Sequence, residues 1–245
     1  MRLLAVAYGV VSYAIFFLTF LYSIGFVGNL IVPKSIDSGV QGPLAGALIV
    51  NVLLLGVFAV QHSVMARPAF KAWWARLVPP PVERSTYVLF SSLALILLFW
   101  QWRPLPQPVW QVGGLGATML WAAFWLGWAT VLLSTFLIDH FDLFGLRQVW
   151  AYRRGGEVPP PEFRTPLFYR VVRHPIYLGF VVAFWAAPTM SQGRLFFALA
   201  TTAYIIIAIQ FEEHDLIGVF GDRYRDYRRR VSMLLPLPRS KPTGG

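Results

Sequence analysis

The chain has 245 residues, of which 57% are apolar and only 13% charged, with a formal net charge of +10. A soluble domain carries roughly 25% charged residues, so the composition excludes an ordinary soluble domain and marks an integral membrane protein. With no cysteine in the chain, disulfides, cysteine-ligated zinc or iron–sulfur clusters and a cysteine nucleophile are excluded as well.

The first apolar run, roughly Leu3 to Val32, is longer than a signal-peptide core and lacks a small-residue cleavage site, so it reads as a span and not as a cleavable leader. Its Tyr8, Ser12, Tyr13, Thr19 and Tyr22 are polar enough to face other helices. After a short loop, Pro33 to Gly39, a second span runs roughly from Pro43 to Met65 and holds Asn51, Gln61 and His62. Both runs reach the ~20 residues that a crossing needs. Arg67 to Pro81 mixes Trp73 and Trp74 with Lys71 and Arg76, the make-up of a segment at the membrane surface. Glu83 and Arg84 open a third span, roughly Ser85 to Trp102, and a Pro-rich turn from Arg103 to Pro108 leads to a fourth, roughly Val112 to Leu137. The glycines 113, 114 and 116 at its start read as a small-residue packing site, not as a phosphate loop.

A dense ionisable stretch follows, with Asp139, His140, Asp142, Arg147 and Gln148, and then a polar, Pro-rich surface loop from Tyr152 to Pro166. The remainder reads as an apolar hairpin with an ionisable cluster at each end. Arg173 and His174 precede it, Glu212 and Glu213 follow it, and residues 188–193 break it. A hairpin returns its ends to one face of a bilayer, where charges next to the membrane are costly and so point to a functional site. From Asp215 on, Leu216, Val219, Phe220, Tyr224, Tyr227 and Val231 recur at helical spacing, giving a basic amphipathic tail that Pro236 and Pro238 end and that frays at Gly244–Gly245.

The expected fold is therefore an all-α, polytopic membrane protein with about five to six transmembrane segments, a C-terminal helical hairpin and a cytoplasmic amphipathic tail. Its plan as one domain is four spans over 1–137, a cytoplasmic active-site loop over 138–174, the hairpin over 175–211 and the tail over 212–238. With six crossings and a cytoplasmic N-terminus, only Lys34, Arg103 and Arg194 of the 21 basic residues lie on the far side. That asymmetry puts both termini in the cytoplasm, and it accounts for the basic balance without a nucleic-acid partner.

The order RHPIY, hairpin, Glu-Glu and FGDRYRDYRRRV resembles the membrane methyltransferase superfamily that includes isoprenylcysteine carboxyl methyltransferases and phospholipid N-methyltransferases. Arg173, His174, Pro175, Tyr177 and Gly179 match its first motif; Glu212, Glu213, Phe220, Gly221, Tyr224, Tyr227, Arg230 and Val231 match the second. Residues 61–89 and 134–150 resemble, more narrowly, the methanethiol S-methyltransferases and, more loosely, NnrU-type membrane proteins.

The resemblance implies S-adenosyl-L-methionine as cofactor, bound by Arg173, His174, Pro175, Tyr177, Glu212, Glu213, Tyr224, Tyr227 and Arg230. The residue types suit that ligand. A carboxylate accepts from the ribose hydroxyls or the α-amino group, an arginine pairs with the amino-acid carboxylate, and an aromatic ring meets the adenine or the sulfonium. Glu212 or Glu213, Arg173 or Arg230, and Tyr224 or Tyr227 supply one of each. The narrower resemblance implies methanethiol as the acceptor and dimethyl sulfide as the product, with a lipid or a prenylcysteine carboxylate as the rival acceptor and a non-catalytic membrane component as the rival class. A thiol must lose its proton, and a free thiol has a pKa of about 8.5. His140, oriented by Asp142, is the first candidate base, with Arg230 as a further catalytic residue; His62, Glu83, Arg84 and Tyr87 are expected on the acceptor side. The alternative for His140 is an interfacial hydrogen bond to backbone, and for His62 a packing role. Four histidines scattered without carboxylate spacing imply no metal.

Overall fold

The computed structural model describes residues 1–160 and 162–236. Pro238 and the Gly244–Gly245 end of the expected tail lie outside the described residues. Within them, long apolar runs free of interior proline form helices, because a backbone in lipid has to satisfy its own hydrogen bonds. Helix α1 is Arg2–Gly28, α2 Leu44–Ala66, α3 Pro68–Trp74, α4 Pro80–Gln101, α5 Gly114–Ile138, α6 His140–Leu143, α7 Leu146–Arg154, α8 Pro175–Trp185, α9 Gln192–Phe220 and α10 Asp222–Arg230. Strand β1, Pro108–Gln111, pairs antiparallel with β2, Thr189–Ser191.

Five helices among the described residues, α1, α2, α4, α5 and α9, are long and apolar enough to cross a membrane, which makes this an all-α, multi-pass membrane protein. Two span limits differ from the sequence reading for local reasons. Helix α1 stops at Gly28, short of Val32, because Asn29 takes a left-handed conformation (φ 53°) and its N–H closes on the Gly25 carbonyl. Helix α4 starts at Pro80, ahead of Ser85, because prolines are well suited to the first helical positions, where no N–H is needed. Gly113 and Gly114 are not a packing site, since a Cβ on either would meet nothing.

The hairpin arms are unequal. Helix α8 has 11 residues, about 16 Å, which is roughly half of a ~30 Å hydrocarbon core. Ala186, Ala187 and Pro188 carry the chain onward to β2 and are buried, the condition under which non-helical backbone is tolerated at membrane depth. The β1–β2 pairing sets the turn before α9 beside the turn between α4 and α5. The second arm does not end at the Glu pair: α9 continues to Phe220, so Glu212 and Glu213 are helical residues. The tail stripe is then split at Gly221 (φ 58°), a left-handed position suited to glycine.

The chain forms two compact units. The first comprises Met1–Gln111, His140–Pro159 and Thr189–Phe197. In it α4 packs on α1 and α2, and α7 packs on α1. Phe26, Leu98, Phe99 and Trp102 are buried; Met65, Tyr87 and Val88 form a second cluster with Phe16, Phe70, Trp74 and Phe144 around it. The small polar groups of α1 face inward as expected: Ser12 and Thr19 are buried, and the Tyr8 hydroxyl bonds to Thr86 at 3.0 Å. Asn51 closes the end of α4 with two hydrogen bonds to the Arg103 backbone.

The second unit comprises Val112–Asp139, Pro160–Pro188 and the chain from Ala198 on. Its centre is α8 lying on α5. A Cβ at Gly127 would come within 2.7 Å of the Gly179 carbonyl oxygen and of the Ala183 nitrogen, and one at Gly179 within 2.7 Å of the Gly127 oxygen. Only glycine permits that approach, the close packing that membrane helices use in place of a hydrophobic drive. Trp128 meets Phe180 and Phe184 edge-on beside it, and Trp185 Nε1 donates to Thr202 Oγ1 at 3.0 Å, tying α8 to α9.

Candidate functional site

Arg173 and His174 sit at the start of α8. Proline at the next position keeps His174 out of the helical region (φ −125°, ψ 65°), and the strand-like segment this creates is paired. Val172 bridges to Ser232, Arg173 N–H donates to Ser232 O at 2.8 Å, and His174 N–H to Met233 O at 3.2 Å. The chain leaving α10 therefore folds back and fixes the backbone from which both side chains project.

Both reach Glu213 on α9. Arg173 Nε donates to Glu213 Oε1 at 2.6 Å, His174 Nε2 lies 3.1 Å from the same oxygen, and Arg228 Nε lies 3.1 Å from Oε2. Arg173 Nη1 also donates to the carbonyls of Arg228 and Val231. Arg173, His174 and Glu213 are 6%, 5% and 2% exposed, so this carboxylate is buried and has a partner on each oxygen. Glu212 differs. Its Oε2 is buried without a hydrogen-bond partner, and His174 Nδ1 stands 3.8 Å away.

The aromatic side of this cluster comes from α10 and the segments it touches. Tyr227 is buried and donates its hydroxyl to the Tyr169 carbonyl at 2.5 Å. Tyr224 is buried with its hydroxyl unpartnered. Burial is the main cause that pushes the Tyr227 phenol up to about 12, with Glu213 adding and Arg173 opposing. Burial likewise raises Tyr224, with Glu213 and Glu212 adding, and Tyr169, with Glu212 and Tyr227 adding. All three phenols therefore keep their protons at neutral pH. Tyr177 on α8 lies beside the His174 ring, 5.7 Å between centroids; Pro175 is buried.

Arg230 is exposed, with Nε donating to the Asp226 carbonyl at 3.3 Å. The arginine of the tail that meets Glu213 is Arg228. It stands one turn beyond Tyr224, where i and i+4 share a helix face, and its helical phase is the signal that would have found it.

The other sequence-predicted residues lie in the first unit. His140 on α6 is 3% exposed. Its Nε2 is 2.8 Å from the Tyr13 hydroxyl, and Tyr13, Phe141 and Phe144 meet its ring edge-on. Asp142 Oδ1 accepts from Gln148 Nε2 at 3.1 Å. His140 and Asp142 share one short helical turn, and the Tyr13 hydroxyl stands against the His140 Nε2. His62 on α2 lies 3.0 Å from the Tyr87 hydroxyl and 3.2 Å from Ser91 Oγ, stacked on Phe58. Arg84 Nε donates to the Leu143 carbonyl at 2.8 Å, and its guanidinium covers the Tyr87 ring. Glu83 stands in the first turn of α4, where the helix dipole favours a carboxylate. His62, Arg84 and Tyr87 thus form one connected group.

The chain is 60% identical over 235 residues, 96% of its length and 91% of the relative's, to methanethiol S-methyltransferase 2 of Bradyrhizobium diazoefficiens. It is 58% identical over 238 residues, 97% and 98% of the two lengths, to the methanethiol S-methyltransferase of Mycobacterium tuberculosis. Bovine nurim is more distant, 32% identical over 66% of this chain and 65% of its own. No family model matches the chain, and no solved structure does.

Proposed function

Because the chain belongs to the methanethiol S-methyltransferase family, we propose that it is a methyltransferase that methylates methanethiol to dimethyl sulfide with S-adenosyl-L-methionine as the methyl donor. One observation supports the donor site above the others. Beside a carboxylate whose charge is fully answered, two buried polar atoms, Glu212 Oε2 and Tyr224 Oη, have no hydrogen-bond partner. Leaving such groups unmet costs about 1–3 kcal/mol each, and a bound polar ligand removes that cost.

An S-adenosyl donor fits this set. Glu212 would accept from its ribose hydroxyls or its ammonium, Tyr224 would donate or accept through its hydroxyl, and Arg228, about half exposed beside Glu213, would pair with the donor's carboxylate. Glu213, Arg173 and His174 hold these groups in place and do not themselves bind. When bound, the donor would supply a methyl group on a sulfonium, ready for in-line attack by a thiolate.

The chain's own residues have then to bring the acceptor as its thiolate. His140 is assigned the thiol proton, with Tyr13 fixing its Nε2 side. His62, Arg84 and Tyr87, with Glu83, are assigned to the acceptor side. A small apolar thiol and its product both partition through a bilayer, so neither needs a wide entrance. With six crossings, the sixth made by α8 and the buried residues after it, both termini would lie in the cytoplasm; the basic residues support this, since only Lys34, Arg103 and Arg194 would then be on the far side.

Purified protein given methanethiol and methyl-labelled S-adenosyl-L-methionine should release labelled dimethyl sulfide into the headspace. Label in lipid or prenylcysteine, with no volatile product, would transfer the assignment to those acceptors.

A further inference from the structure

Phe163 is the one aromatic side chain of the Pro-rich segment between α7 and the turn at Leu167–Arg170. Three rings surround it. Phe220 is 5.4 Å away and tilted at 52°; Tyr227 is 5.4 Å away and Tyr224 6.0 Å away, both edge-on. The Arg223 guanidinium stands 5.8 Å over its face. A flat ring is thus held by aromatic neighbours and a cation, the surroundings that also suit a purine. The unpartnered Tyr224 hydroxyl belongs to one of those walls, and the unpartnered Glu212 oxygen contributes to the charge that Tyr224 feels.

The backbone that carries Phe163 is weakly held. Among the described residues from 157 to 165 no backbone N–H or C=O bonds to another backbone group. The neighbouring Glu162–Arg164 pair is about 70% exposed on both sides, where an ion pair fixes little. Side-chain contact at Phe163 is therefore the main attachment of this stretch to α10, and lifting it out costs no ladder of hydrogen bonds. Phe163 is half-buried, and packing a phenylalanine from an otherwise polar, proline-rich loop onto α10 calls for a reason beyond loop chemistry.

We propose that Phe163 occupies the purine subsite of the ligand-free protein, so that the adenine of the S-adenosyl donor takes its place among Phe220, Tyr224, Tyr227 and Arg223 and Phe163 swings outward with its neighbours Glu162 and Arg164. This inference rests on the donor proposed above and adds a residue that competes with it. Binding is then weakened by the fraction of molecules in which the ring is home, and removing the ring removes that handicap.

The sign of one measurement decides it. With full-length protein in lipid nanodiscs, Phe163→Ala should bind both S-adenosyl-L-methionine and free adenosine more tightly than the unaltered chain, by about three- to tenfold. Phe163→Leu, which keeps an apolar side chain but loses the flat ring, should shift the same way by less. In the unaltered chain, adenosine should speed tryptic cleavage after Arg164, read by mass spectrometry of that peptide. Weaker binding in both variants would make Phe163 a wall of the site and overturn the proposal, as would unchanged affinity or slower cleavage; in each of these the donor assignment stands. Binding of neither adenosyl compound to any of the proteins would overturn the donor assignment, and this proposal with it.

Discussion

Glu213 and His140 are both almost fully buried, yet the company each keeps differs in kind. Around Glu213 are two arginines and a histidine, with a partner on each carboxylate oxygen. Around His140 are one phenol and the edges of aromatic rings. A carboxylate on an apolar helix has to be answered by charge, since the desolvation cost of an unpaired ion is several kcal/mol. An imidazole can be buried without a counter-charge, and here a hydroxyl meets its Nε2. The first region is therefore paired at its centre and would offer ligand contacts at its margin, at Glu212, Tyr224 and the half-exposed Arg228. The second is an apolar, aromatic setting around one imidazole.

Several substitutions sharpen or break this contrast. The largest effect is expected at Glu213. Glu213→Ala leaves Arg173 buried without its anion, and should cost about 3–5 kcal/mol of stability, seen as loss of folded protein or a large drop in Tm in detergent. If Glu213→Ala unfolds no more readily than the unaltered chain, the saturated centre is not structural. Next comes the His140 pair. His140→Ala should lower the rate of dimethyl sulfide formation by about 100-fold, the lower end for a lost acid–base group. Tyr13→Phe should lower it less, about tenfold, because the base remains and only its orientation is lost, with a stability cost of about 1 kcal/mol. Equal rates in all three proteins would remove both residues from the chemistry.

Arg228 and Arg230 give a smaller, paired test. Arg228→Ala should cost up to about 1 kcal/mol, given its partial exposure, and should weaken donor binding. Arg230→Ala should do neither; a larger effect at Arg230 would return the role to the residue that the tail motif suggested. The smallest effect is in pH. The phenols of Tyr169, Tyr224 and Tyr227 are raised in the fold, so the unfolded chain loses those protons first. Their contribution is complete below about pH 10 and disappears as pH climbs through the folded value, about 12 for Tyr227. Unfolding followed from pH 9 to 12 should show this decline, and Tyr227→Phe should flatten part of it.

The spans were legible because a helix in lipid announces itself by some 20 apolar residues, and the ionisable clusters because charge is rare in such a chain. Which residue of each cluster does what was not. Glu212 and Glu213 are adjacent in sequence and differ in their surroundings, and only helix phase and the return of Ser232–Met233 to Arg173–His174 separate them. Arg228 was hidden behind Arg230 for the same reason. Tyr13 read as one of several polar groups on α1, since nothing local says that its partner lies 127 positions away. Phe163 sits in a loop whose composition speaks only of turns. Helix α8 ended early because its arm of the hairpin finishes as buried non-helical chain, which an apolar run cannot reveal.

The central claim is that the donor is held by the unanswered groups and not by the saturated carboxylate, and donor affinity of a folded Glu212→Ala protein tests it most directly. By calorimetry, Glu212→Ala should keep the Tm of the unaltered chain to within a few degrees and lose at least about tenfold in S-adenosyl-L-methionine affinity, the worth of a hydrogen bond to a charged group. Undiminished affinity in that variant, with Tyr224→Phe also undiminished, would contradict the account.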